Sequence, residues 1–354
     1  MDAKTLSIGD RDEWDLEELL RSLRTVDSIR QPISDRQLFN FLLRHVSNRR
    51  FESDPTRLIN FDIWCTLPDV SRTKCIGRKM LQFDSLADHL QRLHHRQLAA
   101  TCFGALVFVF GFELFAHLPT HQSWVLILAL GFLISAFVIV FALKTRIVQI
   151  AYLSARTVAE ILRIRFFMDA SGLPFPSEEN IPRRYKPAMA SVIALCSQIH
   201  DTVFDKAPFR LSEDVVKEEW FGGQIQFFNM AAVRMAKGAR FWEITSKISL
   251  GSGIAAILGL AWLSLQAAFE KSNPEPLLIA GPCLLGIGAI CQYYLERRGF
   301  KPHSERYLHS NHIYDAGPKE NWNETVIDVG TEALHEVVDW YVANVEREIS
   351  VPLG

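Results

Sequence analysis

The sequence lacks the motifs by which most enzymes and nucleic-acid-binding proteins are recognised. It contains no Walker loop, no GxGxxG motif and no GxSxG motif, so the phosphate-binding loops and nucleophile elbow of common enzyme classes are missing. The net charge of −2 does not provide the clustered positive field that nucleic-acid binding requires. The sequence therefore predicts a protein that is not an enzyme and does not bind nucleic acid.

Metal-ligand spacing is also missing. The six cysteines form no CxxC pair, and His94 and His95 are adjacent, so they point to different faces of a helix. His303, His309 and His312 are spaced more loosely than in a zinc motif. We therefore expect no metal and no cofactor, and we expect reduced cysteines that pack in the fold instead of forming disulfides.

Charged residues are nearly absent from four long segments, in which Glu113 and His117 are the only acidic or basic side chains. Each segment has roughly the 20 residues that a helix needs to cross a bilayer core of about 30 Å. Core helices of soluble proteins are usually shorter and carry a polar stripe, so we interpret the segments as transmembrane spans. The spans are residues 98–118, 124–143, 248–269 and 277–295.

The distribution of Lys and Arg predicts the orientation of these spans. The link between the first two spans has no Lys or Arg, and the link between the last two has only Lys271. The opposite ends are rich in both residues, so both termini should be cytoplasmic. The sequence predicts an all-α membrane protein with four transmembrane helices as two tandem hairpins, with long cytoplasmic helical stalks and a small cytoplasmic N-terminal region.

The soluble parts give weaker signals. Residues 14–26 and 35–48 have helical spacing, whereas residues 58–70 could be a strand or a packed loop. One helix is expected near residues 187–204, among several prolines. The predicted segments are an N-terminal region (1–82), a first hairpin with stalk helices (83–169), a connector (170–215), a second hairpin with stalk helices (216–316) and a C-terminal amphipathic helix that packs back on the stalks (317–354).

Glu113 is the acid inside a span, and an ionisable residue there is a candidate functional site by default. It could line a water-filled path. The alternative is an acid at the membrane interface that is hydrogen-bonded to His117, one helical turn away.

Two other pairs lie at helical i, i+4 spacing on the predicted stalks. Arg156 and Glu160 follow the second span, and Trp220 and Gln224 precede the third. These four are candidate coupling positions between stalk and membrane, although a purely structural role in a helical bundle is equally compatible with their spacing.

Small residues recur at four-residue spacing in the third span, and the fourth span is rich in glycine. Gly251, Ala255, Gly259 and Gly286 form the candidate packing face. Such faces let helix backbones approach closely, either within one chain or between subunits, so we expect tight helix association and a homo-oligomer.

Four stretches resemble bacterial four-span modules related to SLATT, the two-transmembrane effector domains that accompany nucleotide-sensing domains in bacterial conflict systems. They are FDSLADHLQRLHHRQLAATCFGAL, YLSARTVAEILRIRFFMDASGLPF, EEWFGGQIQFFNMAAVRMAKGARFWEITSKISLG and DVGTEALHEVVDWYVANVEREISVPLG. The resemblance covers roughly residues 83–354. It implies a protein of the bacterial inner membrane that oligomerises or opens on a nucleotide-derived signal and perturbs the membrane.

Relatives of this kind often carry a large N-terminal sensor domain, whereas here only about 80 residues precede the first hairpin. The resemblance therefore implies a separate partner, either a cytoplasmic sensor or an enzyme that makes a nucleotide signal. The leading hypothesis is a non-enzymatic membrane effector whose partners are the lipid bilayer and other copies of itself. The alternatives are a housekeeping ion channel or transporter, and a membrane scaffold that recruits a soluble enzyme.

Overall fold

The computed structural model of the chain describes most of the sequence, but not all of it. The predicted helices 14–26 and 35–48 lie outside the described residues except for residue 42, and so does the second predicted span except for five isolated positions. The described residues are 42, 54–117, 127, 130, 131, 133, 134, 145–175, 181–265, 275–315 and 321–349.

Within these ranges the protein is helical and contains no β-strand, which confirms an all-α fold. A short turn of 3-10 helix precedes the first α-helix, and a π-helical turn at Lys217–Gly222 leads into the fifth. The α-helices longer than one turn are α1 (Phe61–Thr66), α2 (Arg72–His117), α3 (Thr145–Ser171), α4 (Lys186–Val203), α5 (Gly223–Leu265), α6 (Glu275–Arg298), α7 (Phe300–Asp315) and α8 (Trp322–Ile349).

Residues 58–70 form neither the strand nor the packed loop that the sequence left open, because α1 occupies the middle of this stretch. The side chain of Asn60 accepts a hydrogen bond from the backbone N–H of Asp62 at 2.9 Å and caps the helix. Asp62 adds a negative charge to the first turn, where it interacts favourably with the helix dipole. These local polar contacts favour the helix over an extended chain.

The chain forms two compact units, and α2 contributes residues to both of them. The first unit contains α1, α3, α4, α8 and the N-terminal part of α2. The second contains the C-terminal part of α2 together with α5, α6 and α7. Within the described ranges, the first unit comprises residues 42, 54–93, 145–175, 181–223 and 321–349. The second comprises residues 94–117, 127, 130, 131, 133, 134, 224–265 and 275–315.

The core of the first unit is built around α3, which is buried along nearly its whole length. Helix α8 packs along it, as predicted for the C-terminal amphipathic helix. The hydroxyl groups of Ser154 and Tyr341 share a hydrogen bond of 3.1 Å, and Gly330 lies against Met168. Helix α4 begins within one residue of the predicted position, with Pro187 in its first turn, where a missing N–H costs nothing.

Three helical stretches of the described residues are long and apolar enough to cross a membrane, by length and composition. They span 45, 52 and 38 residues, with mean hydropathies of 2.0, 1.5 and 1.6 over their most apolar windows. The first includes most of the predicted span 98–118, and the other two include most of 248–269 and of 277–295. The fourth predicted span and the tandem arrangement of hairpins remain predictions.

Helices α5 and α6 run antiparallel in the second unit. The ring centres of Trp242 and Tyr294 lie 4.7 Å apart, and Gly253 lies against Leu285. Residue numbers therefore rise along one helix as they fall along the other. Large apolar side chains such as Ile254 point outward and are exposed, as expected of helices that face lipid.

Candidate functional site

A buried ion-pair network lies between α2 and α3 in the first unit. Asp84 of α2 has a side chain that is 5% exposed, and it accepts a hydrogen bond of 2.5 Å from Arg156 of α3. Its second oxygen lies 3.2 Å from Arg57, which also pairs with the more exposed Asp88 at 2.5 Å. A buried charge is tolerated when it is paired in this way.

The network includes the predicted pair Arg156 and Glu160, whose charged atoms lie 2.6 Å apart. Glu160 also accepts from Arg163, one turn further along α3, at 2.6 Å. The sequence spacing predicted the first contact and could have revealed the second, because both are local to one helix. It could not reveal Asp84, which lies 72 residues from Arg156.

The arginines keep Asp84 ionised. Burial acts to raise the pKa of Asp84, but the positive charges of Arg156, Arg163 and Arg57 act in the opposite direction and prevail. The pKa of this carboxyl group therefore lies below its ordinary value of 3.8. The network can fix the position of α2 against α3 at neutral pH.

Trp220, a predicted coupling position, is completely buried in the π-helical turn. Its ring stacks on Phe167 of α3, with ring centres 5.3 Å apart and planes 3° from parallel. Phe221 contacts Trp322 of α8, with ring centres 5.6 Å apart and ring planes tilted by 44°. The turn is thereby packed into the core of the first unit. Gln224, the fourth position, is a largely buried residue of the second unit.

The residues of the candidate packing face have different surroundings. A Cβ atom added to Gly286 would lie 2.8 Å from Val109 of α2, so this glycine permits a close helix contact. A Cβ atom added to Gly251 or Gly259 would meet no described atom within 4 Å, and Ala255 is exposed. The close approach of α5 to α6 instead involves Gly253, whose added Cβ atom would lie 2.9 Å from Leu285.

Glu113 lies on the C-terminal part of α2 and is half-buried. The side chain of His117 lies outside the described part of the chain, so the predicted hydrogen bond between them remains a prediction.

A cavity of about 430 Å³ opens in the first unit beside α3 and α4. Apolar side chains form most of its wall, and a few polar groups from α2, α3 and α4 interrupt them. No local pattern in the sequence marks this cavity, because its lining comes from positions up to 262 residues apart. The lining residues are Arg72, Ile161, Arg165, Asp169, Leu173, Pro174, Phe175, Ile181, Ile193, Cys196, Ser197, His200, Phe204 and Leu334.

Asp169 is held in the cavity wall by contacts to α2. The Nε and Nη2 atoms of Arg72 both lie 2.6 Å from its Oδ1 atom, and the hydroxyl group of Thr73 donates to Oδ2 at 2.5 Å. Both oxygens of this buried carboxylate are therefore engaged within the protein.

Arg165 and His200 form a second polar contact in the wall. A guanidinium group can only donate, so the Nδ1 atom of His200 accepts from Arg165, and the neutral ring carries its proton on Nε2. Burial and the nearby Arg165 charge both lower the pKa of His200, which favours this neutral form. The Arg165 guanidinium also lies over the Phe175 ring, 5.2 Å from its centre.

All six cysteines are free, and no group of three or more His, Cys, Asp or Glu residues in the described ranges is placed to hold a metal ion. No model of a protein family matches the chain, and no curated protein and no solved structure matches it.

Proposed function

We propose that this chain is a non-enzymatic membrane effector of a bacterial defence or nucleotide-signalling system, which oligomerises and permeabilises the inner membrane on a cytoplasmic signal. The observation that carries the proposal is the continuity of α2. This one helix bears Asp84, the centre of the buried ion-pair network, and then the apolar residues 98–116 that are suited to cross a membrane.

The continuous helix gives a signal a physical route to the membrane. The contacts of Asp84 with Arg156 and Arg57 define one position of α2 in the first unit. If a ligand or partner favours another position, the shift is carried along the helix, because its backbone hydrogen bonds make it stiff. The first unit would then lie in the cytoplasm, with both termini, as the distribution of Lys and Arg predicts.

The resemblance of residues 83–354 to SLATT-related modules supports the same role. In that view a separate sensor or a nucleotide-signal enzyme delivers the trigger. The faces of Gly251 and Gly259, which no described atom of the chain covers within 4 Å of an added Cβ atom, would serve for association of spans from several copies.

Reconstitution of the full chain in vesicles of phosphatidylethanolamine and phosphatidylglycerol tests the proposal. We expect release of an entrapped dye that rises steeply with the protein-to-lipid ratio, and that increases when a panel of cyclic and linear oligonucleotide signals includes the correct trigger. Folded, oligomeric protein that releases no dye at any density or with any signal would refute the effector function. Selective ion flux that is lost in Glu113→Gln would support the channel alternative instead.

A further inference from the structure

We propose that the C-terminal end of α6 is a binding site for the headgroup phosphate of an anionic phospholipid, held by Arg298 together with His94, His95 and Gln97 of α2. All four residues belong to the second unit. The assignment concerns lipid binding alone, so it can be tested whether or not the chain permeabilises membranes.

Arg298 is a half-buried cation with unused donors. It is the last residue of α6, and its Nε and Nη1 atoms are enclosed without a hydrogen-bond acceptor in the described part of the chain. Its guanidinium group lies 5.2 Å from the ring centre of Phe300 and 6.0 Å from that of Tyr294. The rings stabilise the positive charge, but they leave the two N–H groups without a carboxylate or carbonyl oxygen.

Two arginines of the first unit show what this site lacks. Arg156 is bonded to the carboxylates of Asp84 and Glu160. Arg72 is bonded to the carboxylate of Asp169. An enclosed charge without such a partner is costly. A ligand that carries a negative charge and several acceptor atoms would remove this cost.

Helix α2 brings two imidazole rings towards Arg298. The two helices run antiparallel, because Gly286 lies against Val109, and further along α6 the charge of Arg298 acts on His94 and His95, which precede Val109. The ring centres of the two histidines lie 5.9 Å apart. The Nδ1 atom of each ring is enclosed and has no hydrogen-bond partner among the described residues.

Gln97 adds a fourth group of the same kind. It is 3% exposed, and within the described ranges neither its amide nitrogen nor its amide oxygen has a hydrogen-bond partner. It lies one turn after His94, so the two share a face of α2. The amide nitrogen and the imidazoles can donate to phosphate oxygens, which also suit the planar fork of an arginine. The amide oxygen can accept from a headgroup hydroxyl, such as those of phosphatidylglycerol.

The position of the site favours a lipid over a free phosphate. Arg298 ends a helix that is apolar enough to cross a membrane, and in a bilayer crossed by α6 this end lies at the level of the headgroups. Phe103 lies about 12 Å further along α2 than His95 and is 60% exposed, as suits contact with an acyl chain. Basic pockets between membrane helices are known sites for anionic headgroups.

Native mass spectrometry of the full chain in detergent tests the site with three probes. Dioleoyl phosphatidylglycerol has the anionic phosphate and the acyl chains, dioleoyl phosphatidylcholine has the same chains without net charge, and glycerol phosphate has the anion without chains. We expect one phosphatidylglycerol per chain to bind at least about tenfold more tightly than either of the other probes.

Arg298→Gln should weaken the binding of phosphatidylglycerol about tenfold or more. Arg240→Gln is the matched control, because it removes the same charge from an exposed side chain of α5. The control lies near the same level, since Gly238 of α5 lies against Phe300. Its binding should change by less than about twofold.

Gln97→Leu separates ligand binding from a structural role. It removes an enclosed polar group that has no described partner, so the lipid-free chain should unfold at the same or a higher temperature. The binding of phosphatidylglycerol should nevertheless weaken about threefold or more. A residue with only a structural role would lower the thermal midpoint instead.

Circular dichroism would verify that each variant is folded. The proposal is overturned if the wild type binds phosphatidylglycerol no more tightly than phosphatidylcholine, or if Arg298→Gln binds it as well as Arg240→Gln does. Should Arg298→Gln not fold, unchanged binding in Gln97→Leu would overturn it. Equal binding of glycerol phosphate would overturn the assignment to a lipid. Dye release is not measured in this experiment, so its failure is separate from failure of the proposed function.

Discussion

Asp84 is a buried carboxylate that faces arginines from two other parts of the chain. Replacement by Asn keeps the shape of the side chain but removes the one buried negative charge that Arg156 and Arg57 share, which leaves these arginines with only their more exposed partners Glu160 and Asp88. Breaking a buried ion pair in this way costs about 3–5 kcal/mol. We therefore expect Asp84→Asn to lower the free energy of unfolding of the first unit by about 3 kcal/mol, measured by urea titration in detergent.

Asp88→Asn is the matched control. Its side chain is 28% exposed and its partner Arg57 is 46% exposed, so this pair is solvent-screened. The expected loss is no more than about 1 kcal/mol. Equal losses in the two variants would contradict the central position of Asp84 in the network.

The pH dependence of the same pair follows from the lowered pKa of Asp84. Because the folded-state pKa lies below the ordinary value of 3.8, the carboxyl group stabilises the fold fully above that value and loses this effect as the pH falls through the folded-state pKa. The difference in urea midpoint between wild type and Asp84→Asn should be constant from about pH 7 to pH 5 and should shrink below about pH 4. A constant difference down to pH 3 would contradict this.

At the scale of helices, the glycines of the second unit differ in what they contact. Gly286→Val should separate α6 from α2, since an added Cβ atom would lie 2.8 Å from Val109. We expect a cost of about 1–3 kcal/mol, as is typical of overpacking, seen as a lower thermal midpoint in detergent.

Gly251→Val is the control for the monomer, because no described atom lies within 4 Å of its added Cβ atom. The thermal midpoint of the monomer should change little. If copies associate through this face, the same variant should reduce cross-linked oligomers in vesicles without unfolding the chain.

Single helices were the features that the sequence predicted best. Charge absence located three apolar helices, the helix expected near residues 187–204 is α4, and the expected C-terminal amphipathic helix is α8. Helix α1 was missed because short apolar runs do not distinguish helix from strand, and only the cap at Asn60 resolves the choice.

Contacts between distant parts of the chain were much harder to predict from the sequence. The spacing of Arg156 and Glu160 predicted their contact, but nothing local links Arg156 to Asp84 or Arg165 to His200. The glycines show the same limit, since Gly251 and Gly253 are both small and in sequence only two residues apart, yet Gly253 alone packs against Leu285. Spacing within one helix does not say which face a neighbouring helix covers.

At the scale of the whole molecule, the proposed effector depends on α2 remaining one helix. Three glycines inserted between Leu93 and His94 should break it at the boundary between the two units. Each glycine disfavours the helix by about 1 kcal/mol relative to alanine. We expect both units to remain folded by circular dichroism, while dye release no longer responds to the trigger. Three inserted alanines, which preserve the helix but rotate its continuation by about 300°, are the control for added length.

A trigger that still increases dye release in the glycine variant would show that the signal does not pass along α2.

Because α2 is long, the proposed response to a trigger needs only a small tilt of this helix. Its 46 residues make a rod of about 69 Å, more than twice the thickness of a bilayer core. In the proposed function such a rod would act as a lever, in which a tilt of about 5° at one end would displace the other end by about 6 Å. That displacement would exceed the width of a valine side chain such as Val109, so under the proposed function a small change in the contacts of Asp84 would be enough to alter the packing of α2 beside Gly286.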